Sequence, residues 1–154
     1  MADAGNHRVV VTGLDGSAAR AFGVRGAGDG QFNRPYDVCV SGDTVLVADA
    51  FNHRIVVARR DGTFVRSFGR QGSGAGEFNR PLGVAMCGDR VFVTDLMNHR
   101  VVITDVEGRA SRHVGGRGAG LGQFSFPCQL FADGSRVFVT DCGNHHVVVL
   151  AADG

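Results

Sequence analysis

The stretch V-T-D-L-M-N-H-R-V-V-I, residues 93–103, contains the pattern on which the whole chain is built. Its second half recurs with small changes at four asparagines, each 46 residues after the one before: Asn6, Asn52, Asn98 and Asn144. An aspartate stands three residues before each of them, and pairs of phenylalanine and proline keep the same register, as do triplets of glycine. A fixed period of this length is the sequence signature of a repeat architecture.

Each 46-residue unit predicts four short strands separated by turns. In the unit of Asn98 these strands are Leu82–Met86, Val91–Asp95, His99–Thr104 and Ala110–Val114, called a to d below. Strands b and c are apolar on both faces and need cover on both sides, whereas the more polar strand d suits an outer edge. Four-stranded sheets of roughly 40–50 residues, stacked on copies of themselves, are β-propeller blades. The sequence therefore predicts an all-β fold, a β-propeller built of four-stranded antiparallel blades.

The 154 residues hold about three blades in a single propeller segment. Residues 1–34 supply strands c and d of a first blade, 35–80 and 81–126 form whole blades, and 127–154 supply strands a, b and c of a last blade. Three blades form only a partial ring, because propellers close with about four to eight. Two alternatives stay open. The chain is a piece of a longer propeller, or two copies meet head to tail as a homodimer that closes a six-bladed ring.

The repeated pattern V-T-D-x-x-N-H-R-V-V-V, followed by F-G-x-x-G-x-G-x-G-x-F-x-x-P, resembles that of NHL-repeat β-propellers over essentially the whole chain. The resemblance implies six-bladed closure and a role in recognition. Some NHL propellers bind single-stranded RNA, some select substrates for tripartite-motif ubiquitin ligases, and a peptide-amidating lyase of similar fold binds metal through histidines. The RING of such ligases needs paired Cys/His clusters, which this sequence lacks. The resemblance thus implies at most a substrate-recruiting part of a ligase.

Signals for catalysis and for cofactors are weak. The glycine triplets imitate phosphate-binding loops, but a strand follows each of them where such a loop needs a helix. Four equivalent histidines offer a metal ring on the propeller axis: His7, His53, His99 and His145. A residue used alike in every blade is better explained by a bond within the blade, for instance to the preceding aspartate loop. We expect no catalytic residue, no metal ligand and no cofactor.

Four cysteines carry no C-x-x-C pair and no histidine at zinc-finger spacing: Cys39, Cys87, Cys128 and Cys142. A structural zinc site needs two such clusters. We therefore expect reduced, buried thiols that act as small apolar side chains.

The loops between strands b and c, and the connectors between strand d and the next strand a, emerge on one face of a propeller, called the upper face here. The strand order predicts a partner-binding surface on this face, made of the arginines around these loops and the apolar residues that differ between repeats. Its members are Arg25, Arg34, Phe51, Arg54, Arg70, Arg80, Leu96, Met97, Arg100, Arg117 and Phe126. Aromatic residues, methionine and arginine are enriched at protein interfaces, so a non-catalytic scaffold for a protein partner ranks first. Single-stranded RNA ranks second, because RNA needs more stacking aromatics than Tyr36, Phe51 and Phe126 offer.

Charge and hydropathy add little to this choice. The formal net charge is +1, so no whole-molecule field attracts nucleic acid. No apolar run reaches the ~20 residues of a membrane helix, and the first residues do not form a signal peptide. The sequence predicts a cytoplasmic protein without membrane contact.

Overall fold

A computed structural model describes residues 1–17, 20–109 and 111–152. These residues form β-strands joined by turns and by three short 3-10 helices, Ala4–Asn6, Ala50–Asn52 and Leu96–Asn98. The strands are β1 (Ala2–Asp3), β2 (Arg8–Val11), β3 (Arg20–Phe22), β4 (Val24–Arg25), β5 (Gln31–Phe32), β6 (Pro35–Ser41), β7 (Thr44–Asp49), β8 (Arg54–Arg59), β9 (Phe64–Phe68), β10 (Pro81–Cys87), β11 (Arg90–Asp95), β12 (Arg100–Asp105), β13 (Arg112–Gly115), β14 (Pro127–Ala132), β15 (Arg136–Asp141) and β16 (His146–Ala151).

Apart from β4 and β5, which pair with each other in parallel within the first connector, the strands group into consecutive antiparallel sheets that follow the 46-residue period. Strands β6 to β9 and β10 to β13 form two four-stranded blades in simple meander order. The first sheet contains β1, β2 and β3, and the last contains β14, β15 and β16, so within the described residues each end blade has three strands. The prediction of an all-β propeller of four-stranded blades is confirmed. Of the predicted strand d in the third unit, Ala110 lies outside the described residues.

The hydrophobic cores lie between neighbouring blades. They cover both faces of strands b and c, as the apolar residues on both faces of these strands require. Between the second and third blades, Leu46, Ile55 and Val57 pack against Val91 and Val93, and all five are almost fully buried. Full burial of such a side chain contributes roughly 1.5–3 kcal/mol. Contacts between blades therefore contribute to the stability of the arc in addition to the hydrogen bonds within each sheet.

A phenylalanine from each connector closes the space between neighbouring blades. These residues, Phe32, Phe78 and Phe124, recur every 46 residues and are at most 1% exposed. Phe78 lies against Gly69, whose φ of +98° is in the left-handed region and whose missing Cβ would stand 2.5 Å from the phenylalanine ring. Glycine at this position therefore permits both the left-handed turn and the close packing of the Phe78 ring.

The first strands of successive blades are neighbours, which sets the direction of the arc. Strand β6 contacts β10, and β10 contacts β14. Each of these strands begins at one of the recurring prolines: Pro35, Pro81 and Pro127. Strands a thus form the inner side of the arc, and the residues before each proline reach the upper face beside the b–c loops.

The prediction of four reduced thiols is wrong for two cysteines. Cys128 and Cys142 form a disulfide, with Cα atoms 6.2 Å apart. Cys128 follows the proline that starts strand a, and Cys142 follows the aspartate that ends strand b of the same blade. Antiparallel pairing of Pro127 with Asp141 brings the two cysteines together. Cys39 and Cys87 are free thiols, and Cys87 is buried.

Candidate functional site

Beneath the upper face, a set of hydrogen bonds recurs from blade to blade; we call each set a joint. In each joint the aspartate at the end of strand b is the central acceptor. The carboxylate of Asp95 is fully buried. It accepts hydrogen bonds from the backbone N–H of Asn79 at 2.6 Å, from Nδ2 of Asn98 at 2.8 Å and from Nε of Arg100 at 2.8 Å. Burial raises the pKa of Asp95 above its usual value, and these three donors oppose the rise. Asp49 makes the equivalent bonds with Asn33, Asn52 and Arg54.

The asparagine and arginine of the same motif hold the glycine-rich connector that arrives from the preceding blade. Asn98 donates to the carbonyl of Gly72 at 2.8 Å. The guanidinium of Arg100 donates to the carbonyl oxygens of Ser73 at 2.7 Å, Gly74 at 3.2 Å and Glu77 at 2.9 Å. Arg54 binds Ala27, Gly28 and Gln31 in the same way. The motif therefore fastens each connector to the blade that follows it.

The histidine of the motif bonds forward, to the next blade, and not to the preceding aspartate loop as the sequence analysis suggested. Nδ1 of His7 accepts the backbone N–H of Arg34 at 3.1 Å, and His53 accepts that of Arg80 at 3.2 Å. His99 accepts the N–H of Phe126 at 3.2 Å. Each histidine also takes the left-handed turn conformation, with φ between 55° and 57° at the three positions. Strand c consequently begins one residue later than predicted, at Arg100.

The pKa of His53 makes its joint sensitive to acid. Burial, and next the charge of Arg80, hold this pKa below the ordinary value of 6.5. Because the unfolded chain binds the proton more readily, stability is complete above pH 6.5 and declines as the pH falls toward the lower folded pKa. We predict that His53→Asn, which keeps an acceptor and tolerates the left-handed turn, flattens the fall in melting temperature between neutral pH and about pH 5. Parallel melting curves of both proteins test this, and equal slopes would contradict it.

The hydrogen bonds of these joints bury two arginines that were predicted to contact a partner. Only 7% of the Arg100 side chain and 12% of the Arg54 side chain are exposed. Their donors are committed to a buried aspartate and to connector carbonyls. A partner on the upper face contacts the connector that covers these guanidinium groups and not the groups themselves. Arg54 and Arg100 are therefore not part of the proposed binding surface.

Five other predicted residues lie along the upper face in a row. The guanidinium carbon of Arg34 lies 5.3 Å from the centroid of the Phe51 ring, and that of Arg80 lies 4.7 Å from it. Each arginine stands directly before the proline of strand a, and Phe51 stands in the b–c loop between them. One repeat later, Arg80 and Met97 are the equivalents of Arg34 and Phe51. Phe126 is in turn the equivalent of Arg80, so it stands beside Met97 as Arg80 stands beside Phe51. We call Arg34, Phe51, Arg80, Met97 and Phe126 the top row.

Four members of the top row are exposed, Phe51 is half-buried, and the arginines are not neutralised. Arg34 and Arg80 are exposed, and within the described residues neither guanidinium has a carboxylate partner. Met97 is 41% and Phe126 39% exposed. The Phe126 ring also packs 4.6 Å from the ring of His99, a contact that sequence reasoning did not anticipate.

The remaining predicted residues lie on the same face, and the backbone N–H of Leu96 donates to the carbonyl oxygen of Arg80 at 3.3 Å. Leu96 is half-buried in its 3-10 helix. Arg25, Arg70 and Arg117 are exposed on the connectors. Arg70 forms an ion pair with Glu77 at 2.9 Å, and the pKa of Glu77 is lowered first by the N–H of Gly74 and next by this arginine.

The described part of the chain shows no group of three or more His, Cys, Asp or Glu side chains placed to hold a metal ion. The histidines considered as a ring are spread one to a blade, and in three of them Nδ1 is occupied by the joint. Among the described residues, no helix is long and apolar enough to cross a membrane.

Comparison with known proteins agrees with the repeat and with the geometry. The NHL repeat family model matches residues 32–58 and 78–103, which cover the joints of the second and third blades. None of the curated proteins matches the sequence.

Solved structures show the same architecture at low sequence identity. A streptogramin B lyase superposes with a TM-score of 0.72 at 13% identity, over 98% of this chain and 47% of the lyase. A catalytically inactive virginiamycin B lyase from Staphylococcus aureus with quinupristin gives 0.65 at 14% identity, over 96% and 46%. A chain of a nidogen/laminin complex gives 0.61 at 15% identity, over 99% and 70%. This chain thus spans about half the length of the two lyases, and the likeness concerns the fold alone. The chain contains NHL repeats, folded as consecutive blades of a β-propeller.

Proposed function

We propose that this chain is a non-catalytic binding scaffold whose top row takes up a segment of a protein partner. The observation that carries the proposal is the position of two exposed, unneutralised guanidinium groups on either side of Phe51. The fold of NHL repeats supports a scaffold role, because the blades supply a rigid frame and their variable upper loops supply the contacts.

The chemistry of the top row favours a partner that offers carboxylates next to apolar side chains. Arginine binds carboxylates through two parallel N–H···O bonds, which gives both affinity and orientation. Met97 and Phe126 continue the row with apolar surface, and Phe51 already orders the arginines by cation–π contact. An acidic segment with aliphatic or aromatic residues would match both parts.

The alternative ligand, single-stranded RNA, would use the same arginines for phosphates. RNA binding of useful strength stacks several bases on aromatic rings. Two arginines contact the Phe51 ring and the Phe126 ring packs on His99, so both rings are already engaged within the chain. A protein segment is therefore favoured, and RNA is an outcome that the test below distinguishes.

A selection from a random peptide library tests the proposal with defined probes. Enriched peptides should combine Asp or Glu with apolar residues, and labelled copies should bind in solution. Arg34→Ala with Arg80→Ala should weaken binding about tenfold or more, because a hydrogen bond to a charged group contributes about 1.5–3 kcal/mol and 1.4 kcal/mol is tenfold.

The matched control is Arg59→Ala with Arg60→Ala. It removes the same charge on the opposite face of the propeller, called the lower face, where the a–b and c–d turns lie and strand c of the second blade ends. This variant should bind like the unmodified chain. Equal weakening by both double variants, or selection of peptides without acidic residues, would contradict the proposal. Tight binding of an oligouridylate, with a steep dependence on salt, would assign the surface to RNA.

A further inference from the structure

The disulfide lies on the upper face, at one end of the top row. Cys142 is the first residue of the b–c loop in the last blade, and Cys128 follows the proline that starts strand a of the same blade. Phe126, a member of the top row, stands directly before that proline. The b–c loop and the residues before strand a emerge on the same face, so the disulfide and Phe126 are neighbours.

Both cysteines of the disulfide contact the backbone of Phe126. The N–H of Cys142 donates to the carbonyl oxygen of Phe126 at 3.3 Å. The sulfur of Cys128 lies 3.3 Å from the same oxygen. At the other side of the residue, the N–H of Phe126 donates to Nδ1 of His99 in the preceding blade. The disulfide therefore joins the two segments that hold the Phe126 carbonyl group.

Phe126 adopts a backbone conformation that depends on such contacts. Its φ of 55° lies in the left-handed region, where a bulky side chain stays only when its surroundings hold it. Its own b–c loop carries Gly143 at the position where the second and third blades carry Phe51 and Met97. Phe126 thus receives no side chain from this position of its loop, and the disulfide is what the last blade places beside it.

The disulfide is not part of the repeated frame. The equivalents of Cys128 and Cys142 in the third blade are Leu82 and Leu96, two apolar residues that cannot be joined covalently. A residue that recurs in every blade serves the blade, whereas a pair present in one blade is available for a local role. Here the pair adjoins the variable surface that the proposed function assigns to a partner.

We propose that Cys128 and Cys142 form a redox site that regulates the top row and is opened by a low-molecular-weight thiol such as glutathione. This regulation rests on the proposed function, because it concerns the same binding surface. In the closed form Phe126 is held in place before a peptide arrives. In the open form the residue must be ordered on binding, and the affinity falls because that ordering has an entropic cost.

Opening of the site is a thiol–disulfide exchange. A glutathione thiolate attacks one sulfur, the S–S bond breaks, and its electron pair leaves on the other sulfur, which takes up a proton. A second glutathione thiolate attacks the glutathione sulfur of this mixed disulfide and releases the second cysteine, which also takes up a proton. The two protons come from the two glutathione thiols. The cysteine pair is thereby reduced, and two glutathione molecules are oxidised to one glutathione disulfide.

Titration of a selected acidic peptide against the oxidised and the reduced chain tests the regulation. Reduction with dithiothreitol should weaken binding about three- to tenfold, the effect of ordering a side chain on binding. Cys128→Ser with Cys142→Ser should bind as the reduced chain does, and dithiothreitol should not change its affinity. This variant retains Cys39 and Cys87, so a remaining response would assign the effect to those thiols and overturn the proposal.

Two substitutions test whether the disulfide acts through Phe126. Phe126→Asn, which tolerates the left-handed turn, should bind no more tightly than the reduced chain and should lose the response to dithiothreitol. Met97→Asn is the matched control on the top row. It should weaken binding in both redox states and keep the difference between them. A full response of the Phe126→Asn variant would contradict the proposed route.

Thiol titration and amide chemical shifts follow the site without a peptide. The unfolded oxidised chain should show two thiols, Cys39 and Cys87, and the reduced chain should show four. Reduction should shift the amide resonance of Phe126 more than that of Phe51. Four thiols in the air-oxidised chain, or an unchanged Phe126 resonance, would overturn the inference.

The peptide titration separates this inference from the proposed function. Peptide binding of equal strength in both redox states would remove the regulation and leave the proposed function intact. Absence of binding in both states would contradict the proposed function, and the regulation of the top row would fail with it.

Discussion

Replacement of Asp95 by alanine should lower the free energy of unfolding by about 3–5 kcal/mol, the range seen when one partner of a buried ion pair is removed. The substitution leaves the guanidinium of Arg100 buried without its counter-charge, and it takes the acceptor from the backbone N–H of Asn79 and from Asn98. Because Asn79 precedes strand a and Arg100 holds the connector, the damage spreads to the contact between two blades.

The chain supplies a matched control at another copy of the same motif position. Asp3 forms the equivalent bonds with Asn6 and Arg8 in an exposed setting. Asp3→Ala should therefore leave the midpoint of urea unfolding almost unchanged, since exposed ion pairs contribute little. Urea unfolding curves of the two variants measure the contrast, and an equal loss in both would show that the joint does not act through burial.

Replacement of Phe51 by aspartate should weaken binding of a selected acidic peptide about 30-fold or more. The ring orders Arg34 and Arg80 by contacts of 5.3 and 4.7 Å, so its loss frees both guanidinium groups and adds a carboxylate that competes for them. Central aromatic residues of an interface commonly contribute 2 kcal/mol or more. Adding Met97→Asp should abolish measurable binding, because the charge then stands on both sides of Arg80.

Leu14→Asp is the control for the same change of side chain. Leu14 is fully exposed in a turn of the lower face, and its replacement should leave peptide affinity as it was. Titration of a fluorescent peptide gives the affinities, and thermal melting confirms that each variant is folded. Full affinity of the Phe51→Asp, Met97→Asp variant would remove the top row from consideration.

The repeat made the fold predictable, whereas the directions of individual side chains could not be predicted from it. The strands of the third unit, the buried phenylalanines and the prolines at strand starts follow from periodicity, because a residue that recurs in every blade serves the blade. In the b–c loop the positive φ falls on the histidine, while Asn98 uses its side chain to hold Gly72, and the repeat pattern does not reveal either role.

The same limit explains which site residues were placed well. Arg34, Phe51 and Arg80 come together because each lies in a loop of the upper face, which strand order alone fixes. Arg54 and Arg100 lie on that face too, but their side chains turn inward to a buried aspartate, and the sequence shows no difference between an inward and an outward arginine. The disulfide of Cys128 and Cys142 escaped prediction because it depends on the antiparallel pairing of two strands within one blade.

The central claim is that the recurring N-H-R residues join the blades, while the variable residues above them contact the partner. Amide chemical shifts of the labelled protein, recorded with and without a selected acidic peptide, test this most directly. The largest shift changes are expected in residues 33, 34, 36, 50–52, 79, 80, 82, 96–98, 126 and 128, since the prolines between them carry no amide proton. Changes concentrated in the lower-face turns at residues 41–44, 59–63, 87–90 and 105–109 would contradict it.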